Sequence, residues 1–376
     1  MKNNHLVTGA TGFVGSAIVI EILQKTNDNV VCLVRQKKGN SAQARLLQTL
    51  HNIVDLYKLP HTLHKDIDTR CVAVEGDLIE DLSAVEKNIN SPMKYFWHSA
   101  ASLDYEERFA EQIHNINVDG TRKALGLAKS LKAEYFNHVS TAYVSGRNTG
   151  DIEEKLTEIE IPSNAYEASK IIGEKLVHNC TDIKTRIFRP TIVVGHSETL
   201  GVLTFSGLYG FARRLVQFNG IMNRVKEGFL DEQRIKMVVD ANIPINFIPV
   251  DMVAKEVVEI GLSDTSLPFF HLSNPNVLTA REAVDAVFES VGVTPPEYVD
   301  DESEFSDVDK KFNDKVEFYS SYLRGFKQFS RENSLHVLGE RDLGNFAINK
   351  SGLLQYVNWY LDSLKSERAV RIPVMR

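Results

Sequence analysis

The chain has 376 residues, of which 43% are hydrophobic and 25% charged, and its formal net charge is −7. This composition is that of an ordinary folded protein with a large core, and the length suits an α/β body with an appended lobe. The acidic balance excludes the basic face expected of a nucleic-acid-binding protein, and no apolar run is long enough to cross a membrane.

The three cysteines, Cys32, Cys71 and Cys180, are scattered without the spacing of a metal site. We expect no metal, and we interpret the cysteines as buried thiols in a reducing cytoplasm. A short polar start leads directly into the first apolar run, so we expect no signal peptide.

The first predicted strand, Leu6–Val7, is followed by a glycine-rich loop and an apolar helix over 16–25. The glycines follow the spacing GxxGxxG, not the common GxGxxG. Glycine allows a tight turn and lets backbone N–H groups approach a pyrophosphate at the start of the helix. The pattern predicts a dinucleotide-binding loop, with a purely structural turn as the alternative. The cofactor-binding residues predicted here are Gly9, Thr11, Gly12, Phe13, Val14 and Gly15.

The second predicted strand, Val30–Val34, ends at Arg35 and precedes a helix over 41–57. In dinucleotide folds an acid at this strand end binds the ribose 2′-hydroxyl of NAD, whereas arginine suits the 2′-phosphate of NADP. Arg35, with Arg45 as a second cation, therefore predicts NADPH as the cofactor. The alternative is a solvated basic turn.

Two further strands end in residues suited to the same cofactor. The strand Cys71–Val74 leads to Asp77, whose carboxylate we expect to accept from the adenine amino group, unless it only caps a helix. The strand Tyr95–His98 leads to small residues that let a cofactor lie against the backbone, and we interpret His98 as a hydrogen-bonded interior histidine. The cofactor-binding residues predicted at these two ends are Asp77, Leu78, Ser99, Ala100 and Ala101.

The next predicted elements are a helix over 115–131 and a strand over 136–139. The helix contains Asn117, a poor helix former that we expect to support the site by hydrogen bonds. The strand ends in Ser140 and Thr141, at the edge where open parallel sheets bind ligands.

After an acidic loop over 151–162, a helix starts near Tyr166, and Lys170 lies one turn later on the same face. A neighbouring ammonium lowers the pKa of a tyrosine. With a hydroxyl from Thr141, this pair could pass a proton to or from a carbonyl oxygen while a hydride moves at carbon. We therefore predict Thr141, Tyr166 and Lys170 as catalytic residues, the last two also contacting the cofactor. A YxxxK pattern alone is typical of a solvated helix face, and it indicates catalysis here because it follows a glycine turn and a strand that ends in Ser140 and Thr141.

The sixth predicted strand, Thr185–Phe188, is followed by Pro190, which lacks an N–H and marks the strand end. We expect Pro190, Thr191 and Ile192 to line the cofactor. The alternation of strands and helices predicts an α/β fold with a Rossmann-like, doubly wound parallel sheet and a smaller, mostly helical C-terminal substrate lobe. The NADP-binding domain is expected over 1–195, with 240–275 returning to it, and the lobe over 196–239 and 276–376.

Three features of the expected lobe carry predictions. A locally basic stretch including Arg213 and Arg214 could dock an acidic partner or a phosphate-bearing substrate, with a solvated surface as the alternative. The acidic stretch over 295–309 is predicted to be mobile and solvated. The aromatic residues from Phe312 to Phe329 indicate helices over an apolar core, or the lining of an acyl tunnel, and a final helix is expected over 353–364.

Four motifs together resemble the extended short-chain dehydrogenase/reductase superfamily, over roughly residues 5–260. They are Thr8-Gly9-x-x-Gly12-x-x-Gly15, Ser140-Thr141, Tyr166-x-x-x-Lys170 and Arg189-Pro190. The runs over 32–35, 98–101, 117–121 and 139–144 are similar to the thioester-reductase branch. That branch includes the terminal reductase domains of carboxylic acid reductases and peptide synthetases, and fatty acyl-CoA reductases. Because this chain begins at the reductase fold, it resembles a stand-alone enzyme.

The resemblance implies that Tyr166 donates the proton, Lys170 assists it and Thr141 holds the oxyanion. NADPH would reduce a thioester carbonyl, on CoA or on an acidic acyl or peptidyl carrier protein, to an aldehyde, and a second hydride would give the alcohol. Nucleotide-sugar epimerisation or dehydration and hydroxysteroid-type alcohol oxidation remain alternatives, because they share the fold. A non-catalytic dinucleotide-binding sensor is a further alternative.

Overall fold

The computed structural model describes residues 4–37, 39–89, 91–104, 106–204, 207–339 and 346–371. Strands run over β1 (Asn4–Thr8), β2 (Asn29–Val34), β3 (Cys71–Glu75), β4 (Tyr95–His98), β5 (Tyr135–Val139), β6 (Gly150–Ile152), β7 (Lys184–Pro190), β8 (Ile192–Val194), β9 (Lys236–Val238), β10 (Pro244–Ile245), β11 (Phe247–Pro249), β12 (Phe269–Leu272), β13 (Leu278–Thr279), β14 (Glu297–Val299) and β15 (Lys327–Phe329). Helices run over α1 (Phe13–Lys25), α2 (Ala42–Leu56), α3 (Thr62–Arg70), α4 (Ser83–Asn88), α5 (Ala110–His114), α6 (Gly120–Ser130), α7 (Ala165–His178), α8 (Leu208–Val225), α9 (Phe229–Glu232), α10 (Val250–Leu262), α11 (Ala280–Val291), α12 (Asp307–Ser320), α13 (Glu332–Leu338) and α14 (Lys350–Arg371).

Seven strands form a parallel sheet in the order β12-β7-β5-β4-β1-β2-β3. Strands β2 and β3 lie on one side of β1, and the chain then crosses to the other side of β1 to add β4. The pairing of β1 with β4 is parallel and aligns Thr8 with His98. In doubly wound sheets this switch point is where a crevice opens at the carboxyl ends of the strands. The expected Rossmann-like fold is confirmed.

The strands are buried because their apolar runs are covered on both faces by helices. Helix α1 contacts α2, α3 and α10, whereas α6 contacts α7 and β4. In the core beneath α6, the rings of Phe96 and Phe136 from neighbouring strands stack with centroids 5.1 Å apart.

One predicted helix differs from the sequence expectation. The helix expected to begin at residue 115 begins earlier with α5, and residues Asn115–Asp119 form a π-helical turn before α6. Such turns have one extra residue and occur frequently at functional sites. This turn sets the position of Asn117, which is buried.

The chain divides into two compact units. The first comprises 1–199, 248–273 and 329–341, and the second comprises 200–247, 274–328 and 342–376. The first unit holds the seven-stranded sheet. No helix among the described residues is both long and apolar enough to cross a membrane.

The first unit receives its last segment from near the end of the chain. Helix α13 contacts β12, and the Glu154 carboxylate caps its first turn. That carboxylate accepts hydrogen bonds from the Ser334 hydroxyl at 2.7 Å, the Asn333 backbone N–H and the His271 backbone N–H at 2.7 Å. Thus one residue of the predicted acidic loop joins three separate segments of the unit.

The second unit is built around aromatic side chains on its helices. Phe312 on α12 is fully buried and contacts the rings of Phe211, Phe218 and Phe288. These four side chains form a core, so the core interpretation is confirmed for Phe312. The other aromatic residues of the predicted stretch are half-buried, except Phe326, which is 44% exposed.

The prediction of a mobile, solvated segment over 295–309 is wrong only in part, because most of its acids are exposed, among them Asp300, Asp301, Glu302, Glu304 and Asp307. Strand β14 pairs in parallel with β9, and Asp309 is buried. The Asp309 carboxylate accepts from the backbone N–H of Lys236 at 2.8 Å and forms a capping box with Ser306. The sequence suggests that Asp309 is a surface charge, but its carboxylate is buried and accepts hydrogen bonds from the backbone N–H groups of Lys236 and Ser306. These bonds hold the end of the segment in place.

Candidate active site

The glycine loop between β1 and α1 is shaped by close backbone approaches. Gly9 has a φ of +75°, and its carbonyl oxygen accepts from the Gly12 N–H at 2.8 Å. A Cβ at Gly15 would lie 2.3 Å from that same oxygen, and a Cβ at Gly9 would lie 2.7 Å from the Ala100 nitrogen. Only glycine fits either position. The geometry therefore brings the predicted residues of the loop against Ser99 and Ala100 at the end of β4.

The start of α1 can hold an anion. Its N-cap, Gly12, has no side chain to bind the free N–H groups of the first turn, and that turn contains no acid. Unsatisfied N–H groups and the positive end of the helix dipole favour a phosphate. Phe13 and Val14 supply part of this turn. A dinucleotide pyrophosphate therefore fits the loop.

Arg35, Arg45 and Asp77 lie together beyond the ends of β2 and β3. The Arg35 guanidinium lies 3.5 Å from the Asp77 carboxylate, and Arg45 donates to the Arg35 backbone carbonyl. Arg35 is 60% exposed, and an exposed pair of this kind contributes at most about 1 kcal/mol. Arg35 is thus positioned by its neighbours but remains available to a phosphate, whereas the Arg45 guanidinium already binds a carbonyl.

Arg35 also borders a groove of about 840 Å³ in the first unit. Arg108, Arg122 and Lys123 line the same groove, together with Ile79 and Phe109. Lys123 donates to the Ile79 carbonyl at 2.6 Å, and Leu78, the neighbour of Ile79, is buried. The groove also holds the carboxylates of Glu111 and Asp119, and Asp119 pairs with Arg122. It therefore combines apolar surface with charges of both signs.

His98 has hydrogen-bond partners on both ring nitrogens. Its Nδ1 lies 2.8 Å from the Thr8 hydroxyl and its Nε2 lies 3.0 Å from the Thr121 hydroxyl. Burial, with Lys170 adding repulsion, lowers its pKa to about 3. The ring is therefore neutral and structural, which confirms the interpretation of His98 as an interior histidine.

Asn117 connects the loop after β4 to helix α7. Its Oδ1 accepts from the Ser102 N–H at 2.7 Å, and its Nδ2 donates to the Ser102 carbonyl at 3.1 Å and to the Ser169 hydroxyl at 2.9 Å. Ser169 directly precedes Lys170. The expectation that Asn117 supports the site is confirmed by these bonds.

The three predicted catalytic residues come from β5 and α7. Thr141 follows the end of β5, and its Oγ1 accepts from the Tyr143 N–H at 3.2 Å, which leaves its O–H as a donor. Lys170 is buried and donates from Nζ to the Val139 carbonyl at 2.9 Å. Tyr166 lies half-buried in the first turn of α7, one turn before Lys170. The bond to Val139 therefore fixes the Lys170 end of α7 to the strand end that carries Thr141.

The charges around this trio differ from the sequence expectation in one respect. Burial lowers the pKa of Lys170 to about 8, although Glu174 opposes the shift. Burial and the Glu167 carboxylate raise the pKa of Tyr166, so the expected net lowering of this pKa is wrong. Tyr166 is consequently a protonated phenol at neutral pH, which is the form required of a proton donor.

Glu174 is a residue that the sequence reasoning missed. It lies one turn after Lys170 on α7 and binds Arg189 of β7 through both carboxylate oxygens, at 2.9 and 2.6 Å. The available signal was an acid four residues after the lysine, on the same helix face. The partner, Arg189, could not be identified locally because it belongs to another element.

The last predicted cofactor residues follow this arginine. Strand β7 ends at Pro190, as expected, where it pairs with Leu272 of β12. The Thr191 N–H donates to the Leu272 carbonyl at 3.1 Å, and Ile192 begins β8. These residues lie at the carboxyl end of β7, and their contact with a cofactor stays a prediction.

A comparison with protein families shows which family the chain belongs to. The NAD-binding family model described as "Male sterility protein" matches residues 7–257. The chain belongs to this family. The male sterility family match extends from β1 into α10, so it includes the glycine loop, Thr141, Tyr166 and Lys170.

Relatives of this male sterility family chain include much longer proteins. A linear gramicidin synthase from Brevibacillus parabrevis is 27% identical over 312 residues, which cover 78% of this chain and 6% of that protein. Fatty acyl-CoA reductase 2 of Homo sapiens is 25% identical over 291 residues, which cover 68% of this chain and 54% of that protein. The chain thus spans no more than about half of either relative.

A solved structure shares the fold over almost the whole length. It is the terminal R domain from the myxalamid PKS-NRPS biosynthetic pathway, with a TM-score of 0.74 and 22% identity. The match covers 99% of this chain and 92% of that domain. The likeness establishes a common architecture for this member of the male sterility family.

Proposed function

We propose that this protein is an NADPH-dependent reductase that converts an acyl thioester to an aldehyde. The observation that carries the proposal is the buried Lys170, which is bound to the strand end that carries Thr141 and lies one turn from the protonated Tyr166. The kinship with a fatty acyl-CoA reductase and a linear gramicidin synthase supports the choice of a thioester over other carbonyl substrates.

The residues present fit the cofactor. Gly9 and Gly15 leave backbone space that a Cβ would fill, and the first turn of α1 offers free N–H groups. Arg35 would hold the 2′-phosphate, and Lys170 the nicotinamide ribose. Bound there, NADPH would supply the hydride that reduces the thioester carbonyl carbon.

The chain's own side chains would manage the oxygen of that carbonyl. Negative charge builds on this oxygen as the carbon is reduced, so preorganised donors lower the barrier. Thr141 donates a hydrogen bond to it, and Tyr166 transfers its phenolic proton to it, which gives a hemithioacetal. The Lys170 ammonium stabilises the resulting phenolate. The C–S bond then breaks, the hydroxyl proton passes to the leaving sulfur, and an aldehyde and a thiol result.

The test is incubation of the purified protein with a panel of substrates, with NADPH for the thioesters and the ketone and NADP⁺ for the hydroxysteroid and the UDP-sugar. Cofactor turnover is followed by absorbance, and products are separated by chromatography and identified by mass. The panel holds an acyl-CoA, an acyl-pantetheine, an acyl carrier protein, a hydroxysteroid and its ketone, and a UDP-sugar. We expect turnover with the thioesters alone, and the mass of the product distinguishes an aldehyde from an alcohol. Conversion of the UDP-sugar or the steroid, with no thioester reduced, would overturn the proposal.

A pair of variants identifies the proton donor. Tyr166→Phe is expected to lower kcat by about 10²- to 10⁴-fold, the usual contribution of a positioned acid. Tyr298→Phe is the matched control, because the Tyr298 hydroxyl donates to Asp285 in the second unit. Full activity in Tyr166→Phe would remove Tyr166 from the mechanism. Absence of turnover by the wild type with every substrate of the panel would favour a non-catalytic sensor.

A further inference from the structure

Helices α2 and α3 of the first unit carry a cluster of three imidazoles and two carboxylates. His51 and Asp55 lie one turn apart on α2, His61 caps α3, and His64 and Asp68 lie one turn apart on α3. The rings of His51 and His64 stack with centroids 4.9 Å apart, and those of His61 and His64 stack at 5.6 Å. No residue of the proposed reductase site belongs to this cluster.

Four of these side chains form a chain of close polar contacts. Asp55 Oδ1 lies 3.3 Å from His64 Nε2, His64 Nδ1 lies 2.6 Å from His51 Nδ1, and His51 Nε2 lies 3.0 Å from Asp68 Oδ1. A carboxylate only accepts hydrogen bonds, and a neutral imidazole carries one N–H. Two neutral histidines thus supply two protons for three contacts. One contact is then left between two acceptor atoms, and an additional cation would satisfy it.

The geometry points to the contact between Asp55 and His64 as the place of that cation. The His51–Asp68 contact of 3.0 Å is an ordinary hydrogen-bond length and the His51–His64 contact of 2.6 Å is shorter than usual, whereas the Asp55–His64 contact of 3.3 Å is just beyond the usual range. If the first two contacts hold the two protons, His64 donates from Nδ1 to His51, and His51 donates from Nε2 to Asp68. The lone pair of His64 Nε2 then faces the Asp55 carboxylate.

We propose that Asp55, His61 and His64 bind a divalent first-row transition ion of the zinc type. One ligand atom from each lies within 4.8 Å of the other two. Two ligands of a tetrahedral zinc ion are separated by about 3.3 Å when the bonds are about 2.0–2.1 Å long, and the Asp55–His64 distance is 3.3 Å. Two imidazoles and a carboxylate select zinc-like ions over calcium or magnesium, which prefer oxygen. A water would complete the coordination.

His51 and Asp68 serve this site as orienting residues. A histidine ligand commonly donates its second N–H to a neighbour, which fixes the tautomer and the ring plane. Here His64 donates to His51, and His51 to Asp68. The ion would link the end of α2 to the start of α3. The spacing of residues along the sequence does not indicate such a site, because Asp55 is on one helix and the two histidines are at the start of the next.

Isothermal titration of the full-length, tag-free protein with Zn²⁺ tests the site, with Mg²⁺ as the comparison ion. We expect saturable 1:1 binding of Zn²⁺, a higher unfolding temperature in its presence and no response to Mg²⁺. His64→Asn and Asp55→Asn should abolish the 1:1 binding. His51→Asn and Asp68→Asn should weaken it by about 10- to 100-fold, as loss of an orienting partner does.

His336→Asn is the matched control, since His336 is an exposed histidine on α13. It should bind Zn²⁺ as the wild type does. The ligand side chains are half-buried or exposed, and circular dichroism checks that each variant is folded. Absence of 1:1 binding by the wild type, or unchanged binding by His64→Asn, would overturn the proposal and assign the extra cation to a proton. Neither result bears on the reductase activity.

Discussion

Arg189 and Glu174 form a two-pronged ion pair in which each side chain is only 1% exposed. The pair joins the middle of α7, just after Lys170, to the end of β7, just before Pro190. The Arg189 guanidinium also lies over the Phe269 ring at 4.8 Å. Two predicted parts of the site, the proton-transfer helix and the Pro190 strand end, are therefore held by one buried contact.

Removing one partner of this pair should destabilise the protein strongly. Glu174→Ala leaves a buried guanidinium without its counterion, so the free energy of unfolding should fall by about 3–5 kcal/mol. The double variant Glu174→Leu with Arg189→Met should recover most of this loss, because apolar side chains need no counterion. Urea denaturation measures both, and equal losses in the single and double variants would contradict the explanation.

The glycine loop should not tolerate a methyl group at residue 15. In Gly15→Ala the Cβ would lie 2.3 Å from the Gly9 oxygen, which forces the loop to move. We expect a loss of about 1–3 kcal/mol in unfolding free energy and NADPH binding weakened by at least about tenfold. Gly126→Ala is the control, because a Cβ there meets nothing within 4 Å and should add about 0.5–1 kcal/mol of stability. Unchanged NADPH affinity in Gly15→Ala would exclude the loop from the binding site.

Arg35 should determine the preference for NADPH over NADH. Arg35→Asp removes a side chain that would donate hydrogen bonds to the 2′-phosphate. The new carboxylate repels a phosphate and accepts a hydrogen bond from a ribose hydroxyl. The ratio of kcat/KM for NADPH to that for NADH should fall by at least about 10- to 100-fold, the value of a hydrogen bond to a charged group. Lys87→Asp, a charge reversal at an exposed site on α4, controls for the change in net charge. The same ratio in Arg35→Asp and wild type would remove Arg35 from the phosphate site.

The activity should depend on pH through Lys170. Its pKa of about 8 lies below that of an ordinary lysine, because burial disfavours the ammonium. The ammonium is present below this pKa and lost above it, so kcat/KM should fall as the pH rises through about 8. Glu174 holds the pKa up, so Glu174→Gln should move the inflection to lower pH. Lys170→Ala should abolish turnover, and near-normal rates in that variant would contradict the assignment.

Arg213 and Arg214 on α8 are candidates for docking a carrier protein. Other cations of this basic stretch have partners within the second unit: Lys226 pairs with Glu232, and Lys236 lies 3.1 Å from Glu304. Among the described residues, no ion pair involves the two arginines. Reversing both charges should raise KM for an acyl carrier protein more than KM for the free pantetheine thioester. Equal effects on both substrates would argue against docking at this surface.

The sheet could be predicted from the sequence because its signals are local. Each parallel strand is a short apolar run, and each is bounded by glycine, small or charged residues that end it, as at Arg35 and Pro190. The Tyr166–Lys170 pair is equally local, since both residues lie on one helical turn.

What could not be predicted depends on partners distant in the chain. Glu154 looked like surface charge, but its partners are at 271 and 333–334. The pKa of Tyr166 depends on burial, which a spacing pattern does not reveal. The π-helical turn at 115–119 likewise depends on packing, because the low helix propensity of Asn117 does not by itself specify such a turn.

The capping of α13 by Glu154 has a consequence for the order in which the protein is made. Synthesis runs from the N-terminus, and domains generally fold as units while the chain emerges. The NAD-binding unit, however, includes residues 329–341, which follow most of the second unit in the sequence. A nascent chain that ends before residue 329 lacks the donors from Asn333 and Ser334 that Glu154 binds. The unit that contains the proposed active site is therefore completed only once residues 329–341, with most of the second unit before them, have left the ribosome.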